Sequence, residues 1–267
     1  VIPLLKKINL ILEILKNYRP VSNLAYISKL IERVVANRTI THMIDNDLHE
    51  LYQSSYKQFH SCETAVLKVQ NDILCALDDG KCVLLVLLDL SAAFDTVDHS
   101  KLLSILSDRI GMSGVVLEWF RNYLNARSQS VTIDGIESDI WTMLFGVPQG
   151  SVLGPILFII YTSPLGDLLR HHNLNYHFYA DDTQLYISFE ISSLNSAISK
   201  VEGCLKDIKT WMASHFLCLN DNKTEVLVIG KKNSLKNLPT FSLRVGNDDI
   251  IPTSSARNIG AIFDKSC

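Results

Sequence analysis

Three carboxylates stand where side chains do chemistry. Asp89 closes the apolar run CVLLVLLDL, Cys82 to Leu90, and Asp181 and Asp182 are adjacent within NYHFYADDTQLYISF, residues 175–189. Neighbouring carboxylates repel, and a cation between them relieves the repulsion. A carboxylate at a strand end and a pair in a hairpin turn converge if the two strands are neighbours in one sheet. Oxygen ligands of this kind suit two Mg²⁺ ions, with phosphate oxygens completing the shells. Such a pair of ions assists attack of a 3′-hydroxyl on phosphorus and departure of pyrophosphate. Spacing alone leaves a plainer reading open, an ordinary solvated acidic turn. The cysteines, at 62, 75, 82, 204, 218 and 267, include no CxxC pair and no Cys/His set at zinc spacing. They read as reduced thiols of an intracellular, reducing compartment. The adjacent His171 and His172 read as a helix end rather than as metal ligands.

The elements that must position these groups follow from periodicity. The run Cys82 to Leu90 is continuous, apolar and short, as in a strand buried on both faces. Residues 175–189 read as a hairpin whose turn carries the acidic pair. Residues 22–45 read as an amphipathic helix with Leu24, Ile27, Leu30, Ile31, Val34 and Val35 on its core stripe. A second helix starts at Ser61 as N-cap and runs to Gly80. Helices follow near 100–109 and 113–124. A hairpin turns at Asp134-Gly135, a pair suited to type I′ geometry. Another helix opens at Ser151 and is broken at Pro164, and a further one spans 193–214. Thr224 to Ile229 reads as a strand, 240–251 as a hairpin, and Asn258 to Phe263 as one more strand. The order suits an α+β fold, a mostly antiparallel sheet of split βαβ type with helices on one face.

Composition sets the outer bounds. The chain has 267 residues, 47% hydrophobic and 20% charged, which excludes a disordered chain, collagen and a small disulfide scaffold. The longest apolar runs, Val83 to Leu88 and Val152 to Tyr161, fall short of the roughly 20 residues of a membrane span. No membrane partner is expected. The first sixteen residues show neither a cationic leader nor a small-residue cleavage site, so no signal peptide is expected. The start at Val1 suggests a fragment. Residues 1–60 carry 8 Lys/Arg against 5 Asp/Glu, residues 61–230 carry 11 against 20, and residues 231–267 carry 6 against 3. Two basic flanks therefore enclose an acidic middle, as a site for hard cations would require, although a solvated acidic surface looks the same.

Six blocks in order go further. They are NYRPVSNL (Asn17 to Leu24), SKLIERVVANR (Ser28 to Arg38), DLSAAFDTVDH (Asp89 to His99), GVPQGSVLGPILF (Gly146 to Phe158), FYADDTQLY (Phe178 to Tyr186) and LNDNKTEVLVIG (Leu219 to Gly230). Together they resemble the reverse transcriptase of non-LTR, LINE-type retrotransposons of the jockey-like branch. The resemblance implies a right-hand polymerase, with residues 1–80 fingers-like, 81–230 palm, and 231–267 the truncated start of a primer-grip and thumb region. It implies RNA-directed DNA polymerase activity, with an RNA template, a DNA primer, dNTPs and two Mg²⁺ ions for which Mn²⁺ can substitute. Asp89, Asp181 and Asp182 match the metal-binding aspartates, and the Leu90 carbonyl lies where it can join them. Phe94 matches the aromatic that excludes a 2′-hydroxyl. Gln149 and Gly150 match residues at the nucleotide, and Lys223 a lysine near the departing pyrophosphate. Arg19, Lys29, Arg33 and Tyr179 fall at positions facing nucleic acid.

Two departures stand out. Ser55-Tyr56-Lys57 replaces a Gly-Phe-Arg block, so Lys57 offers triphosphate a point charge rather than a bidentate fork. Ser55 also replaces a glycine expected to need unusual backbone angles. An endonuclease and a thumb are expected elsewhere in a full-length element. The alternative reading is a truncated, inert remnant with weak nucleic-acid binding. An RNA-dependent RNA polymerase fits less well, because Phe94 and the Ala180-Asp181-Asp182 triplet argue against it.

Overall fold

The computed structural model describes residues 1–91, 94–125, 127–220 and 223–265. Cys267 and two residues of the LNDNKTEVLVIG block, 221 and 222, lie outside them. Along the chain run β1 (Ile2–Leu5), β2 (Tyr18–Val21), α1 (Tyr26–Asp45), α2 (Cys62–Asp78), β3 (Cys82–Leu88), β4 (Leu90–Ser91), α3 (His99–Asp108) and α4 (Gly114–Leu124). Short strands β5 (Ser128–Gln129), β6 (Thr132–Ile133), β7 (Ile136–Glu137) and β8 (Trp141–Thr142) lead to α5 (Leu153–Thr162) and α6 (Pro164–His171). Then come β9 (Asn175–Tyr179), β10 (Asp182–Phe189), α7 (Leu194–Ser214), β11 (Cys218–Leu219), β12 (Glu225–Ile229) and α8 (Lys232–Lys236). Hairpins β13 (Leu243–Val245) with β14 (Asp248–Ile250), and β15 (Ser255–Asn258) with β16 (Ala261–Asp264), follow.

These elements form two compact units, Val1–His49 with Ala92–Tyr161, and Glu50–Ser91 with Thr162–Cys267. The units interleave along the chain.

The second unit is built on a four-stranded sheet of order β12-β3-β10-β9, antiparallel throughout. β3 is central and all seven of its residues are buried, as its unbroken apolar run requires. On one face, Val83, Leu85 and Leu87 pack with Val69, Ile73 and Leu77 of α2. On the other face Leu84 and Val86 are buried too. α2 starts where its sequence says: the Ser61 hydroxyl accepts from Thr64 N–H, and Thr64 Oγ1 accepts from Ser61 N–H at 2.8 Å.

The stretch Asn258 to Phe263, expected as one strand, is instead a bend between two. Ile259 (φ +46°) and Gly260 (φ +85°) turn β15 back into β16. Two successive left-handed residues make the tight turn that an antiparallel pair needs.

The first unit is mainly helical. The hairpin β6–β7 turns at Asp134 (φ +49°) and Gly135 (φ +82°), as the Asp-Gly pair predicts. α5 is apolar all round and almost wholly buried. α1 departs from expectation. Ile27, Leu30, Ile31 and Val34, the anticipated core stripe, are exposed, whereas Glu32, Ala36, Thr39 and Met43 are buried. The physical reason is Glu32. Its carboxylate accepts from Val152 N–H at 2.6 Å and Leu153 N–H at 3.4 Å, and from the Tyr123 hydroxyl at 3.1 Å. The start of α5 therefore takes its cap from another helix, and that requirement turns the polar face of α1 inward.

The described cysteines, Cys62, Cys75, Cys82, Cys204 and Cys218, are free thiols. Among the described residues no helix is long and apolar enough to cross a membrane.

Candidate active site

β3 and β10 pair in a register that sets Thr183 opposite Leu88. One step further along the same ladder lie Asp182 and Asp89. Cross-strand neighbours stand about 5 Å apart, so the register alone makes these two carboxylates partners. Asp182 also pairs with Tyr179 across β9–β10, which leaves Ala180 and Asp181 as the turn. Ala180 is left-handed, with φ +55°.

The segment after β11 holds Asp89. Asn220 N–H donates to the Asp89 carbonyl at 2.9 Å, and Asn220 Nδ2 to the carboxylate at 3.3 Å. Lys223 Nζ donates to the same carboxylate oxygen at 2.8 Å. Lys223 is 65% exposed, so this ion pair is weak and readily displaced. The Asp182 carboxyl is pushed up to about 6, first by burial and then by the charges of Asp181 and Asp89. Lys223 pulls it back down. The site therefore carries more negative charge than one lysine neutralises.

A cavity of about 340 Å³ opens here, lined by Asp89, Asp182, Lys223, Glu225, Arg257 and Asn258. Arg257 and Asn258 escaped the sequence reading. They lie on β15, and only the folding of that hairpin beside β12 brings them to the carboxylates. The single sequence signal was the basic character of the last segment. Asn258 is buried and its Nδ2 has no partner.

The other residues singled out in this unit are Leu90, Tyr179 and Lys57. Leu90 stands in β4 opposite Leu219 of β11. Tyr179 is half-buried, its hydroxyl pushed up to about 12 chiefly by a hydrogen bond with Cys62. Lys57 is half-buried in the loop before α2. Ser55 does not need the glycine-like backbone expected of it; the left-handed residue there is its neighbour Tyr56, φ +55°.

Phe94, Gln149, Gly150, Arg19, Lys29 and Arg33 belong to the first unit. Phe94 stacks on Phe158, ring centroids 4.8 Å apart. Gln149 Nε2 donates to both Asp95 oxygens at 2.9 Å. Asp95 is taken up by this contact, and α3 is capped instead by Asp98. Burial raises the Asp95 carboxyl, and the Gln149 bond opposes this. Gly150 has φ +97°, and a Cβ there would lie 3.2 Å from Ser22 O, so the close approach that needs glycine is to this chain's own backbone. Ser151 Oγ accepts from Gly154 N–H at 2.8 Å, where the sequence opens a helix. Arg19 is exposed on β2, and Lys29 and Arg33 lie one turn apart on α1.

Residues 5–258 match the family described as reverse transcriptase (RNA-dependent DNA polymerase). The chain is 30% identical over 259 residues to the probable RNA-directed DNA polymerase from transposon BS of Drosophila melanogaster, covering 94% of this chain and 28% of the relative. It is 26% identical over 259 residues to the RNA-directed DNA polymerase from mobile element jockey of Drosophila funebris, covering 94% and 27%. The chain thus spans little more than a quarter of these relatives. Among solved structures, apo telomerase from Candida tropicalis, truncated from its C-terminal domain, superposes with a TM-score of 0.60 at 13% identity, covering 89% of this chain and 44% of that one. Telomerase from Candida albicans gives 0.57 at 14%, covering 89% and 40%. At such identities the likeness concerns the fold, a right-hand polymerase. By sequence, fold and the pairing of its strand-end and hairpin aspartates, the chain belongs to the reverse transcriptase family, in its non-LTR, LINE-type branch.

Proposed function

We propose that this chain is the polymerase domain of a LINE-type element, extending a DNA primer on an RNA template with dNTPs. The observation that carries the reading is the β3–β10 register, which makes Asp89 and Asp182 neighbours beside the turn holding Asp181. In this reading residues 1–80 act as fingers, 81–230 as palm, and 231–267 as the start of the primer grip.

The donor set suits hard divalent cations, two Mg²⁺ or Mn²⁺ in their place. All three side chains offer oxygen, Leu90 next to Asp89 in sequence would add its carbonyl, and burial with mutual repulsion leaves Asp182 in need of a cation. Among the described residues no three His, Cys, Asp or Glu side chains already converge tightly enough to hold an ion. Lys223 Nζ instead occupies the face of Asp89. Bound there, divalent ions would neutralise phosphate charge and favour the deprotonated 3′-hydroxyl. In the reaction the 3′-hydroxyl gives its proton to solvent water and its oxygen bonds to the α-phosphorus, the bond from that phosphorus to the β-phosphate's bridging oxygen breaks, and pyrophosphate departs.

The chain's own part is positional. Asp89, Asp181 and Asp182 gather negative charge at one end of the sheet. Lys223, released from Asp89, is placed to meet the departing phosphate, and Lys57 offers a second cation. Phe94, flat against Phe158, is suited to excluding a 2′-hydroxyl. Gln149 and Gly150 meet the nucleotide, and Arg19, Lys29, Arg33 and Tyr179 the nucleic acid.

Primer extension on an oligo(dT)-primed RNA template with Mg²⁺ and dNTPs tests the reading. Extension by the wild type and none by an Asp181→Ala/Asp182→Ala double variant is the expected result. A folded wild type that extends nothing overturns it for this chain and favours an inert remnant.

A further inference from the structure

The turn between β9 and β10 is held from outside. Ala180 carries a side chain yet sits at φ +55°, a conformation that an L-residue keeps only when its surroundings fix it. Its N–H donates to Ser55 Oγ at 2.7 Å, with Gln53 Oε1 also within 3.3 Å. Ser55 and Gln53 are buried, at 3% and 5% exposure. Gln53 Oε1 in turn accepts from Ser55 N–H at 2.9 Å and from the Ser55 hydroxyl at 3.1 Å. The Ser55 hydroxyl thus uses its one proton toward Gln53 and a lone pair toward Ala180.

The segment bearing these residues is itself anchored along β9. Phe178 N–H donates to Tyr52 O at 2.8 Å, and Ser54 N–H to Phe178 O at 3.1 Å. Gln53 and Phe178 form a parallel bridge, and Ser54 Oγ meets His177 Nε2 at 2.9 Å. Residues 52–55 therefore run beside β9 as a short extra edge and deliver a hydroxyl to the turn. Every group in this chain of contacts lies within the second unit.

We propose that Gln53 and Ser55 are positioning residues for nucleotidyl transfer, clamping the Ala180 amide so that Asp181 is held beside Asp182 and Asp89. The inference rests on the proposed function for its catalytic consequence, but the clamp is measurable without activity. A part-buried amide that loses the nearer of its two acceptors opens more readily, and a turn free to leave the left-handed region displaces the carboxylate next to it.

The test combines hydrogen–deuterium exchange at Ala180 with steady-state primer extension, on the full chain as wild type, Ser55→Ala, Ser55→Cys and Ser55→Thr. Ser55→Cys is near-isosteric with a poor acceptor, and covers the case in which Ser55→Ala does not fold. Both are expected to speed Ala180 exchange at least about fivefold. Exchange in β3 should be unchanged. Extension kcat should fall about tenfold, with KM for dNTP within about twofold. Ser55→Thr, which restores a hydroxyl, should recover both. Unchanged exchange at Ala180 overturns the clamp whatever the activity. Faster exchange with unaltered kcat in an active wild type overturns its positioning role, and faster exchange throughout β3 marks Ser55 as merely structural. A wild type that extends nothing counts against the proposed function, and exchange at Ala180 still decides the clamp.

Discussion

Asp89, Asp182 and Lys223 form a site in electrostatic debt: two carboxylates on adjacent strands, a third in the turn, and one exposed ammonium. Removing one carboxylate relieves the fold and disables the chemistry. Asp182→Asn is expected to abolish primer extension while raising unfolding stability at pH 7.5 by about 2 kcal/mol, a figure already reduced for solvent screening. Urea denaturation beside extension assays measures both, and a loss of stability on that substitution would count against this balance. Gln149 has a comparable dependence on Asp95. Both Asp95 oxygens accept from the Gln149 side-chain nitrogen, which leaves the side-chain oxygen Oε1 as the outward end of that amide. Asp95→Asn replaces one acceptor with a donor and lets that amide turn over. kcat/KM for dNTP should fall about tenfold with little loss of fold; equal kinetics would remove Asp95 from any role through Gln149.

At the scale of elements, α1 shows how a single residue can orient a helix. Its buried stripe contains small and polar residues, while four aliphatic side chains face outward. Glu32 explains this by closing the amide end of α5. Glu32→Ala leaves the Val152 and Leu153 N–H groups and the Tyr123 hydroxyl without their acceptor. A loss of about 3 kcal/mol follows from that many stranded donors. Glu32→Gln keeps one acceptor oxygen and should lose less. Thermal or urea unfolding of the two variants provides the check, and equal melting of all three proteins would show that α5 needs no such cap.

The molecule as a whole should respond to acid through His177. It is buried beside Ser54, and its ring is pushed down to about 4, first by burial and then by the charges of Lys68 and His60, with Asp72 opposing. The unfolded chain binds a proton at this side chain near the ordinary histidine value of about 6.5, and the folded chain does so only near 4. Its contribution is therefore complete above the upper value and is lost as pH falls through that interval, amounting to about 3 kcal/mol. Urea midpoints measured between pH 7 and pH 4 should decline, and His177→Gln should flatten part of that decline. An identical slope in the variant would place the acid sensitivity elsewhere. The formal net charge of −3 adds no broad attraction for nucleic acid, so the binding expected of the basic flanks should weaken steeply with salt.

Strand β3, the hairpin turning at Asp181, the start of α2 at Ser61 and the Asp134-Gly135 turn were legible in the sequence, because each depends on local pattern: an unbroken apolar run, a capping hydroxyl, a pair tolerant of left-handed backbone. The three aspartates were legible for the same reason, each marked by its place at the end of such an element. What the tertiary structure decided is every relation between distant segments. Nothing local told that α1 would bury Glu32 and expose Ile27 and Ile31, that Asp95 would hold Gln149, or that the stretch after Arg257 would fold back and bring Asn258 to the carboxylates. Nor did it tell that Ser55 would meet the amide of Ala180. A hydrogen bond across 125 residues leaves no period in the sequence. It exists only because the sheet and its edge, once packed, set an acceptor in front of a donor that the tight turn leaves outside the β9–β10 ladder.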